Sequence, residues 1–326
     1  MGWRPRIAEC IFVLLLASSM SPPAWTQSYP VKPVRILIGF SPGGPIDVLG
    51  RAMAQNLNEA WGQPVVVENR PGASGNIAML AVAHAPPDGH TLVIATASSL
   101  TVNQYLYSKL GYDPVRDFVP ITQLAKVENV LVVNSGVPAK TVQELIEAAK
   151  QRPGTLTFGS PGNGSQAHLK GELLKLLTGI DIVHVPYKGD GPAMTDLLGG
   201  RITMMFGFTP SVRPHIASGG LRVLGAASAK RLPTLPDLPT LAEQGLPGLD
   251  SATWYGLMAP AGTPSEIIEK IYADVRRVLY QPKLKQTLDS LGADPVGNSP
   301  PELATMMKNE SERWRKVIEQ ANIRAD

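Results

Sequence analysis

The sequence predicts an α/β protein of two lobes, each with a mostly parallel sheet flanked by helices, and a ligand cleft between them. Three observations carry that expectation. Short apolar runs alternate with amphipathic segments, the alternating series occurs twice, and in each series a loop rich in glycine and proline joins a strand-like run to a helix-like one.

In the first series VRILIGF reads as a strand, IDVLGRAMAQNLNEAW as a helix, PVVVENR as a strand, SGNIAMLAVAHA as a helix and HTLVIATA as a strand. A turn-rich stretch around GYDPVRDF precedes another strand, VLVVNS. Apolar runs of this length bounded by turn residues fit buried strands, and the segments between them carry helical periodicity. The second series opens at Thr141-Val142-Gln143-Glu144, where hydroxyl and carboxylate are each expected to satisfy an orphan amide of the helix VQELIEAAKQ. LTFGS, IDIVHVPY, ITMMFGF and LRVLGAAS read as strands, and SQAHLKGELLKLLTG and GPAMTDLLGG as helices. The proline-rich LPTLPDLPTLAEQGLPGLD then marks a change of neighbourhood. Two helices close the chain, with capping patterns at Thr263-Pro264-Ser265-Glu266 and Ser299-Pro300-Pro301-Glu302. Ile267, Ile268, Ile271, Val275, Val278 and Leu279 line one face of the first, and Leu303, Met307, Trp314 and Ile318 one face of the second; both stripes are expected to pack on a sheet. The implied division places residues 28–130 with 251–326 in the first lobe and 131–250 in the second.

The chain has 326 residues, 44% hydrophobic and 17% charged, which suits a globular protein and argues against disorder. Net charge is +3 without a long basic run, so the clustered basic face of a nucleic-acid reader is missing. Arg4 and Arg6, the apolar IAECIFVLLLASSM and the turn-forming SPPAWTQ read together as a secretory signal peptide, residues 1–27. The one cysteine, Cys10, falls inside it. The expected mature chain is therefore exported and free of thiols, and a monomer is expected. The histidines show no metal-ligand spacing, so neither a metal nor a cofactor is expected.

The two loops carry the functional argument. The first is Ser41-Pro42-Gly43-Gly44-Pro45 and the second Ser160-Pro161-Gly162-Asn163-Gly164-Ser165. Glycine lets a ligand approach the backbone, proline stiffens the path, and a helix start offers unpaired N–H groups with a partial positive charge. Such loops lie at the carboxyl ends of strands, where open α/β sheets bind ligands. GFSPG also fits the nucleophile elbow of a serine hydrolase, with Ser41 as nucleophile. The residue after that serine must donate an oxyanion-hole N–H, and here it is Pro42, which has none. Losing such a donor costs on the order of 100- to 1000-fold in rate. Neither loop matches a P-loop or a dinucleotide fingerprint.

Other positions admit two readings each. Asp47 caps exposed amides in its helix's first turn, ahead of any acid–base role. Ala97, Ser98 and Ser99 end a strand and either bind a carboxylate or cap the next helix. His168 lies one turn beyond the second loop, as a structural histidine or an orienter of the loop. Tyr187 ends a strand and fits a cleft wall, whereas Lys188 beside it reads as a solvated side chain.

YPVKPVRILIGFSPGGPIDVLGR, VENRPGASGNI, FGSPGNGSQAHLKGELL, HVPYKGDGPAMTDLLGGRI, GLRVLGAASAKRLPTLPDLPTLAEQG and TWYGLMAPAGTP, in this order, resemble the substrate-binding proteins of the tripartite tricarboxylate transporters, also called Bug-type receptors. The resemblance spans essentially the whole mature chain. It implies a periplasmic binding protein-like fold whose lobes close around a mono-, di- or tricarboxylate and deliver it to integral-membrane transporter subunits. It implies that Phe40 to Asp47 bind a ligand carboxylate through backbone amides and water, that Ala97–Ser99 and Ser160–Ser165 complete the pocket, and that Phe206, Gly207 and Phe208 lie near the ligand. Ser41 stands where many members have proline, Ile46 where many have a hydroxyl, and Gly207 where many have aspartate. The last departure, between two phenylalanines, implies a roomier and less polar pocket for a ligand with an apolar or aromatic body. An exported hydrolase using Ser41 and a ligand-sensing subunit of a signalling system are the alternatives.

Overall fold

The computed structural model describes residues 29–324. The expected signal segment, residues 1–27, lies outside them. The chain begins with β1 (Val34–Ile38), α1 (Pro45–Trp61), β2 (Val65–Asn69), a 3-10 turn (Ala73–Gly75), α2 (Asn76–Ala83), β3 (Thr91–Thr96), the short α3 (Ala97–Thr101) and α4 (Asn103–Leu106), and β4 (Phe118–Val127). It continues with β5 (Asn129–Asn134), α5 (Val142–Gln151), β6 (Thr157–Ser160), α6 (Gln166–Thr178), β7 (Val183–Pro186), α7 (Asp190–Leu198), β8 (Met204–Phe208), α8 (Thr209–Ala217) and β9 (Leu221–Ala227). It ends with β10 (Thr253–Pro260), α9 (Ser265–Leu279), α10 (Pro282–Ser290), β11 (Ala293–Pro295) and α11 (Pro300–Ala321).

Two sheets result, a six-stranded one in the order β11-β4-β10-β3-β1-β2 and a five-stranded one in the order β7-β6-β8-β5-β9. Most strands of each sheet run the same way, but the pairings are mixed, because a reversed strand sits inside each sheet. β10 is antiparallel to both β3 and β4, and β5 to both β8 and β9. Both reversed strands adjoin a crossing between sheets. β4 runs through Glu128 directly into β5, and β10 begins at the return, its Thr253 opposite Val127 of β4.

Period-2 alternation feeds two core layers per sheet. In the first sheet Ile36, Ile38, Leu92, Ile94 and Leu257 pack on Leu49 and Met53 of α1 and Ile271 and Val275 of α9. Leu37, Val93, Ala95 and Met258 pack the other face on Met79 and Val82 of α2 and Leu303 and Met307 of α11. In the second sheet Leu131, Val133, Phe158 and Met204 meet α5 and α6, while Val130, Val132 and Met205 meet α7 and α8. Among the described residues no helix is long and apolar enough to cross a membrane.

The structure departs from the sequence reading in particular places. β4 is a full strand in a stretch, beyond the turns around GYDPVRDF, to which the sequence reading assigned no element. Its Pro120, Thr122 and Gln123 break the apolar pattern, and Thr122 and Gln123 are buried because Thr122 Oγ1 donates to the Asn298 carbonyl (2.7 Å) and the Gln123 N–H to Asn298 Oδ1 (2.8 Å). Thr263 does not cap α9; its hydroxyl donates to the Pro260 carbonyl at 2.8 Å. Glu144 receives the Lys140 N–H at 2.6 Å rather than that of Thr141, although Thr141 Oγ1 does accept the Glu144 N–H at 3.1 Å. The stripe of α11 divides: Leu303 and Met307 pack on the first sheet, but Trp314 and Ile318 join Val102, Leu106 and Leu169 of α6.

Candidate ligand-binding site

A cavity of about 740 Å³ opens between the two sheets, a size common for small-molecule sites. Phe40, Ser41, Pro42, Gly44, Pro45 and Ile46 line it from the first loop and the start of α1. Pro161, Gly162, Asn163, Gly164, Ser165, Gln166 and Ala167 line it from the second loop and the start of α6. Both predicted loops thus border one space.

Their local geometry decides which amides are left for a ligand. In the first loop the buried Asp47 accepts the Gly43 N–H (2.9 Å), Arg51 Nε (2.9 Å) and Asn69 Nδ2 (2.8 Å). Burial opposes ionisation of Asp47, but those hydrogen bonds outweigh it and hold the carboxyl below its ordinary range. Gly43 takes φ 87°, a left-handed conformation that glycine adopts without penalty, so that its N–H turns back to Asp47. Pro42 and Pro45 have no N–H. Among the described residues the amides of Ser41, Gly44 and Ile46 have no protein partner.

In the second loop Gly162 N–H donates to Ser160 Oγ (3.2 Å), Ser165 N–H to the Gly162 carbonyl (3.2 Å), and Gly164 N–H to His168 Nδ1 (3.0 Å). His168 Nδ1 therefore accepts, which puts the proton of the neutral ring on Nε2. Stacking on His184 at 3.9 Å completes a buried support under the loop. Burial first, then neighbouring positive charge, pushes His168 down to about 3 and His184 to about 4. Asn163, Gln166 and Ala167 keep amides without partners among the described residues.

A third wall comes from Thr96, Ala97 and Ser98 at the start of α3. Ser98 Oγ donates to the Gly164 carbonyl at 2.9 Å, a hydrogen bond from one lobe to the other. Along the crossing strands the side chains alternate: Val127, Asn129, Thr253 and Tyr255 border this cavity, while Lys126, Glu128 and Trp254 border a separate groove behind them. Phe206, Phe208, Pro210 and Leu291 add apolar surface.

Several predicted residues stand behind the wall rather than in it. Gly43 and Asp47 brace the first loop, and His168 the second. Ser99 is buried in a capping box with Thr96. Ser160 is fully buried and bonded to His184 Nε2 at 2.7 Å. The Tyr187 hydroxyl donates to Asp196 Oδ2 at 2.8 Å, and the ring packs with the core of α7 and α8. Gly207 faces the opposite side of β8 from Phe206 and Phe208, since a Cβ there would meet Val212 Cγ1 at 2.6 Å. Glycine at 207 therefore adds no room to the cavity, and the inference of a roomier pocket from it does not hold. Lys188 does border the cavity, at an exposed position. Sequence reasoning missed Asn129, which stands just before the apolar run read as a strand, Thr253 and Tyr255, whose strand β10 was not assigned, and Asp190, which looked like an ordinary helix start.

No histidine hydrogen-bonds Ser41 among the described residues, and no cluster there could hold a metal ion. The cavity's chemistry is that of amides and hydroxyls at helix starts, with apolar walls and little charge, which defines a binding protein for small molecules.

Residues 49–323 match the tripartite tricarboxylate transporter family receptor, and the chain belongs to that family. Solved structures agree. The R. palustris protein Rpa4515 with adipate is 40% identical, with a TM-score of 0.82 over 91% of this chain and 99% of that one. The periplasmic binding protein BugD is 34% identical, with a TM-score of 0.79 over 91% and 99%. MatC from Rhodopseudomonas palustris with bound malate is 34% identical, with a TM-score of 0.78 over 89% and 100%.

Proposed function

We propose that this protein is a periplasmic receptor that captures a small organic acid and hands it unchanged to integral-membrane transporter subunits. The observation that carries this reading is the placement of two helix starts, each with unpartnered amides, on one cavity between two lobes. A helix terminus contributes roughly 0.3–1 kcal/mol to an anion, and about 2 when partly buried. Each hydrogen bond to a charged group adds roughly 1.5–3 kcal/mol. Three or four such contacts reach the about 8 kcal/mol of micromolar binding without a lysine or arginine. The bound adipate and malate of the two related structures support a carboxylate ligand. Phe206, Phe208 and Leu291 suit an apolar or aromatic body.

Calorimetry of the mature chain against mono-, di- and tricarboxylates, aliphatic and aromatic, tests the reading. Saturable binding of a carboxylate, lost when it is amidated, supports it; equal binding of acid and amide overturns it. Ser41→Ala separates capture from hydrolysis. Binding is expected to change by less than about threefold, because the contact at 41 is the amide and not the hydroxyl. Delivery to a transporter predicts loss of uptake on gene deletion, whereas a changed transcriptional response with uptake intact would favour the sensing alternative.

A further inference from the structure

The charged side chains that line the cavity are Lys188 and Asp190. Lys188 is exposed, and among the described residues no ion pair joins it to Asp190. Asp190, in the first turn of α7, is half-buried and has no hydrogen-bond or ion-pair partner among the described residues. It lies near enough to Tyr255, on the opposite lobe, to raise that phenol further above its ordinary range after burial has done so. Phe206, Phe208 and Tyr255 border the same space. Lys170 is sealed from the cavity: it is fully buried, its Nζ lies 2.5 Å from Asn129 Oδ1, and burial pushes it down to about 7.

Half-buried and without a protein partner among the described residues, the Asp190 carboxyl is open to a partner that arrives with the ligand. Enclosure pushes Asp190 up to about 7, so it is ionised above neutrality, where it repels a second carboxylate and attracts a cation. Tyr255, Phe206 and Phe208 border the same cavity, and an ammonium group gains from an aromatic face. We propose that Asp190 is a specificity-determining residue, which with Tyr255 and the two phenylalanines selects acids that also carry an amino group over acids that carry a second carboxylate. This rests on the carboxylate-capture reading, with the ligand's carboxylate held by the loop amides.

The experiment is calorimetry near pH 8 with three matched series of two to eight carbons: ω-amino acids, dicarboxylates and unsubstituted monocarboxylates. For the wild type the tightest amino acid is expected to bind at least about tenfold tighter than the dicarboxylate of equal length, the ratio of one desolvated charge pair gained against one repulsion. Asp190→Asn is expected to erase that ratio while leaving the monocarboxylates within about threefold. Thermal unfolding checks that the variant is folded, and Tyr255→Phe serves as a second variant with a smaller loss. If dicarboxylates bind as tightly as amino acids in the wild type, or if Asp190→Asn keeps the preference, this proposal is overturned while carboxylate capture stands. If no member of any series binds, both fall together.

Discussion

Gly164 shows how much of the site rests on single residues. Its φ is 75°, its N–H is held by His168, its carbonyl accepts from Ser98, and an added Cβ would meet Leu106 Cδ1 at 2.5 Å. Left-handed backbone costs a non-glycine residue on the order of 1 kcal/mol, and the contact with Leu106 adds to it. Gly164→Ala is therefore expected to lower unfolding free energy in urea by about 1–3 kcal/mol. Unchanged stability would mean that the loop is not constrained as described. Ser98→Ala tests the other side of the same contact. A neutral hydrogen bond contributes about 1 kcal/mol, so losing this link between lobes is expected to weaken ligand binding by up to about fivefold. At this scale the sequence was legible where chemistry is local. Pro42 announced the missing donor, and the glycines announced the turns. Which face Gly207 occupies was not legible, because it depends on β8's orientation in its sheet.

At the scale of elements, α6 ties the second loop to the rest of the protein. It carries His168 in its first turn, Leu169 in the cluster shared with α11, and Lys170 against Asn129. The histidine pair makes this support pH-dependent. His168 is held neutral down to about 3 in the folded chain, whereas an unfolded chain protonates it near the ordinary value of about 6.5. Between those values the unfolded state binds more protons, so this contribution to stability is present at neutral pH and is lost as the pH falls. The raised carboxyl of Asp190 acts with the opposite sign over an overlapping range. A comparison with His168→Asn cancels it. The wild type's advantage over that variant is expected to shrink by about 2 kcal/mol from pH 7 to pH 5, at about 1.4 kcal/mol per unit. An advantage that stays constant or grows would contradict the assignment. Elements with regular apolar patterning, such as β1, β3, β5 and α9, were readable from sequence. β4 was not, because its buried polar groups are satisfied by Asn298, far along the chain.

For the whole molecule, the alternation of strands and helices was enough to foresee two lobes with a cleft, and family membership agrees with it. The crossings were harder to read. β10 and β5 are reversed within their sheets because the chain passes between lobes beside them, and long-range pairing leaves no local mark in composition. Those crossings put Val127, Asn129, Thr253 and Tyr255 at the base of the cavity, within reach of both lobes. A ligand that contacts both lobes favours the closed arrangement by its differential affinity. Small-angle scattering is expected to show a smaller radius of gyration with a saturating acid, and no change would argue for a rigid receptor.

The most direct measurement is a crystal structure of the mature chain with a carboxylate that calorimetry has shown to bind. The account predicts carboxylate oxygens within hydrogen-bonding distance of the free amides at Ser41, Gly44 and Ile46 or at Asn163, Gln166 and Ala167, directly or through one water. A carboxylate held instead by Lys188, or lying in the groove behind the crossing strands, would contradict it.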